Sequence, residues 1–237
     1  MQILNVISCL LDYPTQELLD ARVELIDAVI NSEIDSTAKA PIIDFISDRT
    51  SGDLMEWQAE YDGLFERGRS LGLWLFEHVH GESRDRGQAM VDLMEQYKQA
   101  GLELAQNELP DYIPLFLEFL VTQGRENAEQ WLGEVEHILA LLMCRLEKRN
   151  SNYAVLFSTL LELAHSEVDL DAIRGQINSE KRDDTKQAMD KEWEEEAITF
   201  GAQDSASCPT ATHRPAESQR KDQYVPVSWT DFDQRAS

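Results

Sequence analysis

The chain has 237 residues, 42% of them hydrophobic and 28% charged, and a formal net charge of −24. That length can bury one sizeable core, while the acidity excludes nucleic acid and anionic membrane as partners, because binding phosphate requires a basic surface that releases counterions. The charge is concentrated in residues 1–200, where 17 Lys and Arg face 40 Asp and Glu, and it favours a cationic partner.

Ile3 to Leu11 reads as a short apolar helix that stops at Tyr13, since a residue before proline is pushed out of the α region. Thr15 caps a second helix, whose apolar positions Leu18, Leu19, Val23, Leu25, Ile26, Val29 and Ile30 recur at helical spacing through Asn31. A third, around Pro41 to Arg49, is anchored by Ile42, Phe45 and Ile46. Asp53 and Glu56 have the spacing of a capping box and open a helix carrying Trp57, Tyr61, Leu64 and Phe65.

Residues 66–81 set glycines around Leu71, Leu73, Trp74, Leu75 and Phe76. A short buried helix and an extended linker both fit, and the segment reads as a hinge between helices. Arg84 to Ala100 resumes clear helix, with Met90, Leu93, Met94 and Tyr97 on one face and Gly101 as its stop.

The centre of the chain is Glu108 to Leu120, E-L-P-D-Y-I-P-L-F-L-E-F-L. Pro110 and Pro114 bracket Asp111, which reads as a helix N-cap, with Pro114 where no intrahelical N–H bond is lost. Ile113, Phe116, Leu117 and Leu120 form one apolar stripe, Tyr112, Leu115 and Phe119 a second opposite it, and Asp111 and Glu118 lie between them. Two apolar faces ordinarily mean burial between layers. The functional alternative is a helix with one face in the core and the other, edged with carboxylate, turned to a visiting peptide.

Gln123 and Gly124 break the helix; Ala128 to Arg149 then reads as the longest one, with Trp131, Leu132, Val135, Ile138, Leu139, Leu142 and Leu146 on a broad stripe. Tyr153 to Ala164 and, more weakly, Leu170 to Asn178 follow. Nothing reads as a strand or hairpin, so the expected fold is all-α, a single compact multi-helix bundle over residues 1–200. Ser179 to Glu196 reads as a solvated helix with Trp193 as its aromatic anchor. Residues 201–237 read as a flexible tail, disordered to about Tyr224, with an apolar island from Tyr224 to Trp229 that either docks back or has no role.

Cys9, Cys144 and Cys208 lie far apart, without disulfide-like spacing, and suit a reducing compartment. With no basic leader and no run long enough to span a bilayer, the expectation is a soluble, cytoplasmic protein.

Among chemical motifs, Glu134/His137 and Glu162/His165 repeat the E-x-x-H spacing of helix-bundle di-iron proteins. On the helix wheel these groups point away from the apolar stripes, toward water, so the metal reading loses. His78 and His80 flank Val79 without a third ligand at a recognisable distance. There is no nucleophile elbow, and Gly68 to Gly72 lacks the length and Lys-Ser/Thr ending of a phosphate loop. What remains is an acidic helical domain with surplus aromatic and aliphatic side chains at its centre, suited to gripping a basic amphipathic helix.

Several segments resemble a known family: L-L-D-Y-P at Leu10 to Pro14, Y-D-G-L-F-E-R-G-R-S-L at Tyr61 to Leu71, F-E-H-V-H-G-E-S-R-D-R-G-Q-A-M-V-D-L at Phe76 to Leu93 and the central stretch. Looser matches follow at Tyr153 to Phe157, Arg182 to Thr185 and Trp193 to Glu196. In these the chain is similar to the respiratory nitrate reductase assembly chaperones, the NarJ type of the TorD-like redox-enzyme maturation proteins. It departs where many members carry histidine after the central aspartate and this chain has Tyr112. The resemblance implies an all-helical chaperone that is not an enzyme and holds no cofactor stably. Its client, the apo catalytic subunit of membrane-bound nitrate reductase, receives molybdenum cofactor while the chaperone binds its basic N-terminal segment and delays membrane docking. A related molybdoenzyme client is the alternative within the family, and a metal-dependent helical-bundle enzyme the alternative outside it.

The expected peptide site takes Glu108, Pro110, Asp111, Tyr112, Leu115, Glu118 and Phe119 from the central stretch. Asp111 and Glu118 pair with basic side chains of the client, and Tyr112, Leu115 and Phe119 receive its apolar face. Tyr61, Phe65, Arg67 and Arg69 form the adjoining wall or hinge.

Overall fold

The computed structural model describes residues 2–80, 84–104 and 108–191, with the side chains of His80 and Arg84 left aside. Residues 1–189 form one unit and 190–237 a second, of which Asp190 and Lys191 alone are described. Trp193 and the expected tail from Gly201 lie outside the described residues.

Helix α1 (Gln2–Leu11) is the central rod: Ile3, Leu4, Val6, Ile7, Leu10 and Leu11 are all buried, so it is apolar nearly all round, as a helix enclosed by neighbours must be. It packs along α8 (Ile113–Thr122), where the Ser8 hydroxyl donates to the Pro114 carbonyl at 2.8 Å, and against α3 (Arg22–Asn31). Thr15 caps α2 (Gln16–Asp20) by accepting from the Leu18 amide, as expected. The single helix expected from Thr15 to Asn31 is instead two, parted at Ala21, whose ψ of 13° opens the ladder by one residue.

Helix α4 (Ser36–Ser51) begins five residues ahead of the expected start at Pro41, because Asp35 caps it through the Thr37 amide at 2.9 Å. Asp53 caps α5 (Leu54–Tyr61), which runs on as one wider π turn over Asp62–Glu66. Here Phe45 and Phe65 each pack edge to face with Tyr153, Tyr61 lies tilted against Phe65, all with centroids about 5 Å apart, and the Trp57 indole donates to the Tyr153 hydroxyl. Arg49 lies over the Phe45 and Tyr153 rings and pairs with Glu60.

Residues 71–76 are no free hinge. They form successive turns around a single bridged residue, with Leu71, Leu73 and Leu75 buried, and pair with the approach to α8: the Leu75 amide donates to the Asp111 carbonyl at 2.9 Å and the Ile113 amide to the Leu73 carbonyl at 2.8 Å. This isolated bridge between Trp74 and Tyr112 is the β-like pairing among the described residues, where no full strand occurs. The all-α class stands. The short α6 (Glu77–His80) and then α7 (Arg84–Gln99) follow, and Gly101 ends α7 at φ +80°.

The helix expected from Ala128 to Arg149 is also two, α9 (Arg125–Glu134) and α10 (Glu136–Lys148), parted at Val135 with φ −107° and ψ 6°. Gly133 and Val135, both weak helix formers, sit at the break. Helix α10 packs on α11 (Ala154–Leu163) and α12 (Leu170–Asn178). Residues 179–184 form a strap, and the solvated helix expected from Ser179 begins only at Lys186, running on mostly exposed to Lys191, where the described residues end. The Arg149 guanidinium lies 3.1 Å from both Asp183 and Asp184, Asp183 accepts from the Ser70 amide and hydroxyl, and Arg145 forks onto Glu180.

Candidate functional site

The approach to α8 is fixed from three sides. Its first amide is satisfied by the Leu73 carbonyl, so no side chain caps this end, and Tyr112 occupies the cap position. The expected N-cap role of Asp111 is therefore corrected. Its carboxylate turns back to accept from the Phe76 amide at 3.2 Å and faces the Arg86 guanidinium at 3.5 Å. Asp111 is 0% exposed, and its burial raises the carboxyl above its ordinary range, with Arg86 opposing.

Tyr112, by contrast, reaches outward. Its hydroxyl lies 3.1 Å from Asp12 Oδ1 and 3.2 Å from the Tyr61 hydroxyl. Tyr61 donates its proton to the Leu11 carbonyl, so the Tyr112 proton serves the other two contacts. Asp12 is held from both sides, since the same oxygen also accepts from the Tyr13 amide at 2.8 Å.

Around Tyr112 opens a cleft of about 440 Å3 between the end of α1, the π turn, the bridged segment at Trp74 and the first turns of α8. Trp74, Leu109, Tyr112, Pro114 and Leu115 give it an apolar floor, and Asp12, Glu66, Glu108 and Glu118 give it a rim. All charged side chains lining it are carboxylates, with no Lys or Arg among the described lining residues. Burial, followed by the charges of Asp12 and Glu108, raises the Glu118 carboxyl, while burial and then Asp62 raise that of Glu66. A cation placed here would relieve both. The cleft thus combines apolar side chains with carboxylates, and a group that is both apolar and cationic would complement it.

The structure divides the expected peptide site. Glu108, Tyr112, Leu115 and Glu118 come together in the cleft. Phe119 does not border it: it is 2% exposed, stacked on Tyr97 at 4.5 Å and edge-on to Trp131 at 5.7 Å. Pro110 is buried under Tyr97, whose hydroxyl donates to its carbonyl at 2.8 Å. Tyr61 and Phe65 belong to the aromatic core, so only the Tyr61 hydroxyl reaches toward the site, through Tyr112. Arg67 and Arg69 are exposed and do not line the cleft, and Arg69 lies 4.0 Å from Glu77.

The opposite stripe of Ile113, Phe116, Leu117 and Leu120 is core, at 2% exposure or less. Sequence reasoning passed over Asp12, Glu66, Trp74 and Leu109. Trp74 joins the cleft through its bridge to Tyr112, a pairing between distant segments that no local pattern announces.

Glu134, His137, Glu162 and His165 are all exposed, and no grouping of three or more metal-binding side chains occurs among the described residues. His78 is hydrogen-bonded at 2.7 Å to the Gly72 carbonyl, its pKa lowered by burial. No helix among the described residues is long and apolar enough to cross a membrane.

Residues 31–159 match the family model described as nitrate reductase delta subunit. Over 200 residues the chain is 48% identical to the nitrate reductase molybdenum cofactor assembly chaperone NarJ of Escherichia coli strain K12, covering 84% of this chain and 85% of that protein. It is 44% identical over 212 residues to the probable nitrate reductase molybdenum cofactor assembly chaperone NarW of the same strain, with 89% of each covered. To the probable chaperone NarJ of Bacillus subtilis strain 168 it is 32% identical over 163 residues, 66% of this chain and 85% of that one.

Proposed function

The chain belongs to the nitrate reductase delta subunit family, and from that premise we propose that it is a nitrate reductase molybdenum cofactor assembly chaperone that works by binding, without catalysis of its own. Its client is the apo catalytic subunit, held through a basic, amphipathic N-terminal segment while the molybdenum cofactor is inserted. The observation that carries this reading is the cleft at Tyr112, where apolar side chains lie beside carboxylates from separate elements and no described cation lines it.

The chemistry follows from that arrangement. A client helix lays its apolar face on Trp74, Leu109, Tyr112 and Leu115, while its Lys and Arg side chains reach Asp12, Glu66 and Glu118 at the edges. The apolar contacts hold the segment, and the charges set its orientation and speed of capture, because a chain of net charge −24 attracts a basic peptide over a Debye length. A segment occupied in this way is withheld from other partners, which delays docking at the membrane until release.

Pull-down with fragments of the catalytic subunit tests partner and site together. Capture is expected from fragments that carry the N-terminal segment and is expected to weaken as salt is raised. Equal capture of fragments lacking that segment would refute the assignment.

A further inference from the structure

Helix α7 is lightly fastened. Of its sixteen residues, Leu93 and Tyr97 are the buried ones among the side chains described. Tyr97 stacks on Phe119 and bonds the Pro110 carbonyl, and Arg86 faces Asp111. That ion pair is incompletely made. At 3.5 Å it is longer than a charge-assisted hydrogen bond, and it leaves a buried atom without a partner on each side, Arg86 Nε and Asp111 Oδ1. At its C-terminal end α7 closes on itself, with the Leu102 amide bonded to the Tyr97 carbonyl and the Gly101 amide to that of Lys98.

What α7 covers is as informative as how it is held. Leu109 and Tyr112 line the cleft, while Pro110 and Asp111 between them, and Phe119 one turn beyond Leu115, lie beneath α7. Toward α8 the helix thus presents one arginine to a buried carboxylate and an aromatic ring to Phe119, an arrangement that a basic amphipathic peptide would also bring. An element with so few buried side chains opens at lower free energy than the core around it. An incoming arginine can give Asp111 the direct, two-pronged bond that Arg86 does not make.

We propose that α7 is a built-in placeholder for the client: a basic amphipathic helix that enters the cleft extends its contact by displacing α7 and taking over Asp111 and Phe119. This rests on the cleft being the client site. It makes α7 a competitor, so that its attachment sets how tightly the chaperone binds and gives the client a route to expulsion when α7 returns.

Hydrogen exchange on the full chain, with and without a synthetic basic amphipathic peptide, tests the idea. In the complex, amides of α1 and α8 are expected to exchange more slowly and those of α7 about tenfold faster or more. Arg86→Gln is expected to speed α7 exchange in the free chain and to tighten peptide binding by about threefold, since a competitor is weakened. Tyr97→Phe, which removes only the bond to Pro110, should act in the same direction and serves if Arg86→Gln does not fold. Protection of α1 and α8 with α7 unchanged or slowed would overturn the placeholder and leave the cleft reading standing. No protection at any of the three would overturn both.

Discussion

The Tyr112 hydroxyl meets Asp12 Oδ1 at 3.1 Å, tying the residue ahead of α8 to the residue that follows α1. These two segments are a hundred residues apart in the chain, and their junction carries both the apolar floor and one carboxylate of the cleft. Tyr112→Phe removes the hydroxyl and keeps the ring, while Tyr61 retains its bond to the Leu11 carbonyl. Stability should change by no more than about 1 kcal/mol. Affinity for a basic peptide should fall about threefold to tenfold, because Asp12 is then held from one side only, by the Tyr13 amide. Titration calorimetry beside thermal denaturation separates the two effects.

Peptide binding should depend on pH through Glu118. Its carboxyl is raised in the free chain by burial and by Asp12, and a bound cation draws it back down. Binding therefore releases a proton between the two values. Affinity is full above the raised value and is lost as pH falls through it, when the protonated Glu118 no longer attracts a cation. The check is calorimetry in two buffers of different ionisation enthalpy, repeated at pH values upward from the ordinary carboxylate range, where wild type should show proton release and Glu118→Gln markedly less.

The strap over residues 179–184 gives a prediction about stability. Arg149 is nearly buried and serves Asp183, Asp184 and the Ser70 hydroxyl. Arg149→Ala leaves two carboxylates facing each other and should cost about 3 kcal/mol in chemical denaturation. Burial alone would raise Asp183, yet the Ser70 hydrogen bonds and Arg149 hold it below its ordinary value; the Arg182 bond and then Arg149 lower Asp184. For carboxyls depressed by folding, the stabilisation is present above the unfolded value of about 3.9 and is lost as pH falls through the folded one. The gap between wild type and Arg149→Ala should therefore be full at pH 7 and shrink below about pH 4.

Gly68 belongs to the same lock. It sits at φ +85°, and a Cβ there would lie 2.7 Å from the Asp183 carboxylate carbon. Gly68→Ala meets both backbone strain and a collision, and should lose about 1–3 kcal/mol, measured by denaturant midpoint.

Phe119→Ala separates core from groove. With Tyr97 and Trp131 against its ring, truncation should open a cavity and cost about 3–5 kcal/mol. Leu115→Ala, at the half-buried cleft wall, should cost far less stability and more peptide affinity. Thermal melts of the pair alongside peptide titration make the comparison.

Much of the fold was legible because helices announce themselves by caps and period. Thr15 and Asp53 mark boundaries at the residues the spacing indicates, and α12 (Leu170–Asn178) matches its expected range, whereas α9 starts at Arg125, three residues before the expected Ala128. Breaks inside a continuous apolar stripe were not legible, since Ala21 and Val135 alter the backbone without interrupting the pattern. At the site, the outward side of Tyr112, Leu115 and Glu118 could be read from the wheel, as could the inward stripe of Ile113. Phe119 could not, because the wheel of α8 does not reveal that α7 and α9 bring Tyr97 and Trp131 against it. Nor could Asp111, whose place before a helix suggests a cap until the Leu73 carbonyl is seen to take that role. Asp12 and Trp74 join the cleft through contacts across distant chain, which periodicity does not encode.

The central claim is that the acid-rimmed cleft binds the basic N-terminal segment of a nitrate reductase catalytic subunit. Calorimetric titration of that peptide at low salt into wild type and Glu118→Lys tests it most directly. Reversal of one rim charge should weaken binding about tenfold or more, with the difference narrowing as salt is raised. Equal affinities at low salt would contradict the assignment.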